Sequence, residues 1–72
     1  MFTKSLTQAG HIRRFTIREA GGNGWEVQEE QDSTVIRRVC YTDWHRVERA
    51  LMTITLRVSE LERSGWETLA TC

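Results

Sequence analysis

The sequence predicts an α+β domain in which a three-stranded antiparallel β-meander is followed by one long C-terminal α-helix packed on one face of the sheet, a β-β-β-α order. Three observations predict it. Large apolar residues between positions 43 and 64 recur every three or four residues, the period of a helix. Residues 11 to 41 alternate apolar and polar with a period of two, as half-buried strands do. Two clusters of turn-forming residues divide that alternating stretch into three. The expected organisation is a single small domain over 1–72: an irregular N-terminus at 1–10, the sheet at 11–41, the helix at 43–64 and a C-terminal tail at 65–72.

The helix is the clearest element. Trp44, Val47, Leu51, Ile54, Val58 and Leu61 fall on one stripe of a 3.6-residue helix. Thr42 or Asp43 can cap its start. At its end Arg63 suits the negative pole of the helix dipole, Gly65 can adopt the left-handed conformation that closes a helix, and Trp66 is expected to fold back on Leu61.

The first ten residues, MFTKSLTQAG, show no sustained period, so they are read as irregular. From His11 to Glu19, Phe15 and Ile17 lie on the odd face and Arg14, Thr16 and Arg18 on the even one. A glycine-rich turn follows at Ala20–Gly24. Trp25 and Val27 then continue the odd face of a second strand. After the polar turn Gln31–Ser33, Val35, Val39 and Tyr41 do the same in a third.

Parity restricts the register, because two antiparallel strands keep their odd faces together only if paired numbers sum to an even value. We therefore expect Glu19 near Trp25, across a five-residue loop or a bulge, and Glu30 near Thr34, across a three-residue loop. The even face then sets Arg18 beside Glu26, Glu26 beside Arg38 and Arg14 beside Glu30. Such cross-strand pairs contribute about 0.2–1 kcal/mol each. The same parity puts Arg37 on the core face opposite Val27.

Composition narrows the function classes. Seventy-two residues, 39% hydrophobic and without proline, supply one small core. A chain of this size hides only about 60% of the surface it exposes when unfolded, so association would help it. Ten basic residues balance ten acidic ones, and no global field steers the protein toward nucleic acid or an anionic membrane. The basic residues are nine arginines and Lys4. Residues 1–10 lack the apolar run of a signal peptide and no later run approaches the ~20 residues that span a bilayer, so a cytoplasmic location without membrane contact is expected. Cys40 and Cys72 are read as reduced thiols rather than a disulfide framework.

Three sets of residues are candidates for function. The arginines of the sheet, Arg13, Arg14, Arg18, Arg37 and Arg38, with Trp25, are candidates for nucleic-acid contact. In element order, three strands followed by a packing helix resemble the plant AP2-type and integrase-type DNA-binding domains. That resemblance implies major-groove reading by arginines and tryptophans on the sheet, here through Arg14, Arg18 and Arg38. The chain departs from those domains in lacking their loop motifs and in placing Glu26 and Glu30 in the middle of the face, where phosphate contact needs uncompensated positive charge. Double-stranded-RNA domains also end in three strands and a helix, but they carry a lysine cluster at the start of that helix that is absent here.

For metal binding or catalysis the material is His11, His45, Cys40 and Cys72 with scattered carboxylates. None is spaced as a CxxC or HxxxH ligand pair, and although Asp43 could orient His45 as a base, the sequence places no Ser or Cys nucleophile for it. The GGNG stretch joins two strands and opens no helix, unlike a phosphate loop. Neither an enzyme nor a cofactor or metal site is expected.

The third set lies on the back of the helix. At 100° per residue Met52 and Leu56 fall away from the apolar stripe, on the side shared with His45, Arg49 and Arg63. Met and Arg are enriched at interfaces. The expected function is a small non-enzymatic protein-interaction module that contacts a second copy or another protein, as a weak homodimer in the first case. The alternative is a small nucleic-acid binder using the sheet.

Overall fold

A computed structural model describes residues 2–22 and 24–69. Its element order is β1 (Phe2–Gln8), β2 (His11–Ala20), β3 (Gly24–Gln31), β4 (Thr34–Tyr41), α1 (Trp44–Arg63) and β5 (Glu67–Thr68). Over the described residues the protein is α+β with an antiparallel sheet and one helix, as expected. Among the described residues the sheet has five strands in the order β4-β3-β2-β1-β5, where the sequence indicated three.

The largest correction is the N-terminus. Residues read as irregular form β1, which pairs with β2 along its whole length from Phe2↔Ile17 to Gln8↔His11. The register sums to an odd number, so the even residues of β1 join the odd residues of β2. Phe2 and Leu6 thereby reach the face that carries Phe15 and Ile17, and Leu6 is fully buried. The two-residue turn responsible, Ala9-Gly10, has φ of 51° and 83°, the sign pattern of a type I′ hairpin turn.

Between β2 and β3 the ladder contains Glu19↔Trp25 and Arg18↔Glu26 as parity requires, then one further pair, Ala20↔Gly24. Asn23, in that turn, lies outside the described residues. Gly24 is required for packing: a Cβ there would stand 2.9 Å from the Tyr41 carbonyl oxygen.

The second turn departs from expectation. Asp32 and Ser33 both have positive φ and form a two-residue turn that pairs Gln31 with Thr34. A bulge between Glu29 and Glu30 restores parity, with Glu29 opposite Arg37 and Glu30 opposite Val35. Ile36 is the extra residue. Val27 consequently faces Val39, not Arg37, and Arg38 faces Gln28, not Glu26.

The helix covers the face bearing Phe15 and Ile17. Asp43 caps it, its Oδ1 accepting from the His45 backbone N–H at 3.0 Å. At the other end Gly65, with φ of 103°, donates to the Glu62 carbonyl, and Trp66 donates to the Leu61 carbonyl at 3.0 Å. This is the Schellman pair of bonds. It turns the chain back so that Trp66 packs on the core and β5 pairs with β1 beside Leu6. The residues expected as a tail thus close one edge of the sheet, and β4 forms the other.

The core consists of Leu6, Phe15, Ile17, Val47, Ile54 and Val58, with Phe2, Trp25, Val27, Tyr41, Leu51, Leu61 and Trp66 packed around it. Trp44, expected on the buried stripe, is 46% exposed and tilts against Trp25 with ring centroids 5.2 Å apart. No helix among the described residues is long and apolar enough to cross a membrane.

Candidate functional site

The side of α1 that faces away from the sheet carries the residues singled out from the helical plot. His45, Arg49, Met52, Leu56 and Arg63 follow one another at spacings of three, four or seven, which holds them in one row. All five are exposed. Met52 keeps 68% of its surface accessible and Leu56 65%, the two highest values among the large exposed apolar side chains of the described residues. Their neighbours Val47, Ile54 and Val58 are buried because they point at the sheet. His45 lies 3.8 Å from Glu48, a loose contact on the surface. Arg49 and Arg63 form no ion pair among the described residues.

Strand β4 supplies a second exposed feature. Among the described residues it has a neighbour on one side only, and Val35 and Ile36, at 40% and 49% exposed, sit at its bulge. Unpaired backbone groups on an edge strand are a template for another strand, and a bulge shortens the regular run that would be offered.

The outer face of the sheet, opposite the helix, holds Arg14, Arg18 and Arg38. Glu26 gathers two of them. Arg18 donates from both Nε and Nη2 to one Glu26 oxygen, at 3.0 and 2.7 Å, and Arg38 Nε lies 3.6 Å from the other. The Arg38 contact is the weaker because the bulge moved Arg38 one pair along, leaving it diagonal to Glu26. Arg14 is opposite Glu30 but donates to Ser5 Oγ at 3.3 Å, while Glu30 accepts from Gln28 Nε2 at 2.9 Å. Positive charge on this face is therefore largely answered by the protein's own carboxylates.

Two polar arrangements were not anticipated. Arg13 points to the helix side and meets Glu29 at 3.1 Å, both side chains being only 16% exposed. His11 Nδ1 lies 2.8 Å from Asp32 Oδ2, and the Ile12 N–H donates to Asp32 Oδ1 at 2.9 Å. These bonds, the one from His11 first, hold the Asp32 carboxyl below the ordinary aspartate range. They fasten the β3–β4 turn to the start of β2. The sequence signal for the clasp was an aspartate at a turn whose hairpin neighbour begins with histidine.

Among the described residues no group of three His, Cys, Asp or Glu side chains is placed to hold a metal ion. Cys40 is an exposed free thiol, and Cys72 lies outside the described residues. Against this geometry, no known family, curated protein or solved structure matches the chain.

Proposed function

We propose that this protein is a non-enzymatic interaction module that associates with a second copy of itself through the outer side of α1. The observation that carries the reading is the pair Met52 and Leu56, one helical turn apart and about two-thirds exposed, on a helix whose opposite side is buried. A two-fold axis across this side brings the same patch together twice. Arg49 and Arg63 then stand at the rim, within reach of Glu48, Glu60 or Glu62 of the other copy. Burial of each apolar side chain contributes about 1.5–3 kcal/mol before the entropy of association is subtracted. The resulting dimer is weak, and pairing of β4 edges would strengthen it.

The alternative of nucleic-acid binding by the outer sheet face has less support, since Arg18 and Arg38 share Glu26. Two measurements separate the readings. Sedimentation equilibrium from micromolar to millimolar concentration should show a monomer–dimer equilibrium that Met52→Asp abolishes while the circular dichroism spectrum is retained. A wild type that stays monomeric throughout, or retention on heparin that falls with salt, would count against self-association as the function.

A further inference from the structure

A different surface of the molecule is concave. Where β3 and β4 pass under α1 they leave an open cleft of about 390 Å³, within the size range of small-molecule sites. Its lining divides by chemistry. Phe15 and Ile54 are buried and Val27 and Val39 half-buried, so the inner wall is apolar. Arg37 from β4 and Arg57 from α1 also line the cleft, and both are exposed, which puts the positive charge on its open side.

The charge there is uncompensated. Neither Arg37 nor Arg57 forms an ion pair among the described residues. Glu29 also lines the cleft and lies directly opposite Arg37 in the strand ladder, yet its Oε2 is 3.1 Å from Arg13 Nη2. Its carboxylate is thus already engaged with Arg13, which leaves the two exposed lining arginines, Arg37 and Arg57, without an ion-pair partner among the described residues. We propose that this cleft binds a small organic monocarboxylate with an apolar aromatic or branched body. The body packs on Val27 and Val39, the half-buried part of the apolar wall, and the carboxylate accepts charge-assisted hydrogen bonds from Arg37 and Arg57, whose planar donors match its two oxygens. A cationic ligand is disfavoured by the same arginines, and a neutral one leaves them unused.

The site is separate from the Met52 and Leu56 side. Ala50 and Arg57 line the cleft about 100° or more around the helix from both of that pair, and Thr53, between them, stands about 60° from Leu56. A titration followed by two-dimensional amide NMR, with 4-phenylbutyrate, the neutral 4-phenylbutyramide and acetate as probes, tests the proposal. The acid should shift the amides of Val39, Ala50, Thr53 and Arg57 and bind about tenfold or more tighter than the amide, with acetate weaker still. Arg37→Gln and Arg57→Gln should each weaken the acid about tenfold. Both side chains are exposed and unpaired, so the remaining resonances should stay in place. Equal binding of acid and amide, wild-type affinity in the double variant, shifts confined to other surfaces, or no shift at millimolar acid would each overturn it.

Discussion

Gly65 concentrates two constraints in one residue, and its replacement is the sharpest test of how the helix is closed. Its φ of 103° lies where a side chain costs about 1–2 kcal/mol for alanine and more for a β-branched residue. A Cβ would also stand 2.7 Å from Gln8 Nε2, which donates to the Ser64 carbonyl at 2.9 Å. Displacing Gln8 costs a further ~0.5–1.5 kcal/mol. Gly65→Ala should therefore lose about 2–3 kcal/mol and Gly65→Val more. For 72 residues the whole stability is about 4–11 kcal/mol, so alanine alone should lower Tm by about 8 °C or more. Urea denaturation read by tryptophan fluorescence measures this. Gln8→Ala alone should cost only the hydrogen bond, and the double variant should lose less than the sum because the crowding is relieved. A Gly65→Ala protein within 0.5 kcal/mol of wild type, or strict additivity with Gln8→Ala, would refute the closure described.

Leu6→Ala should cost about 2–5 kcal/mol, enough to unfold much of the population at 37 °C, because Leu6 is fully buried between the sheet and the helix; an irregular N-terminus would tolerate it. Glu26→Gln should lose about 1 kcal/mol or less, since Arg18 and Arg38 are more than half exposed, and the exchange Glu26→Arg with Arg18→Glu should recover part of what either change loses, as seen in a double-mutant cycle. The depressed Asp32 carboxyl stabilises the fold above the ordinary aspartate pKa of about 4, and that contribution fades as pH falls below it toward the folded value. Asp32→Asn keeps a residue that tolerates the positive φ, so its urea midpoint should lie below wild type at pH 7 and approach it at pH 3.

The elements legible in the sequence were those whose pattern is decided locally. The helix declared itself through its apolar stripe and its caps at Asp43 and Gly65, and β2 and β3 through alternation and parity. The strand β1 was hidden because Lys4 and Gln8 share its inward side with Phe2 and Leu6, which dilutes the period, and because Ala9 is a rare occupant of a positive-φ turn position. The two residues of β5 are too few for any period and form because Gly65 aims the chain at β1. On β4, two principles competed: parity favoured a three-residue loop, whereas the turn took two residues and a bulge restored the face. That exchange moved Arg37 from Val27 to Glu29 and created the charge pattern of the cleft. The exposed helix side was legible because angular position alone separates Met52 and Leu56 from the core. The clasp between His11 and Asp32 and the pair of Arg13 with Glu29 depend on side chains meeting across strands and left little trace in local pattern.

The proposed dimer sets the Met52 and Leu56 side of α1 against the same side of a second molecule. A filtered nuclear Overhauser experiment on an equal mixture of carbon-13-labelled and unlabelled protein at millimolar concentration observes that contact directly. Intermolecular cross-peaks are expected from the Met52 methyl group to the Leu56 methyl groups of the other copy. Absence of any intermolecular peak, or peaks arising only from Val35 and Ile36 at the β4 edge, would contradict it.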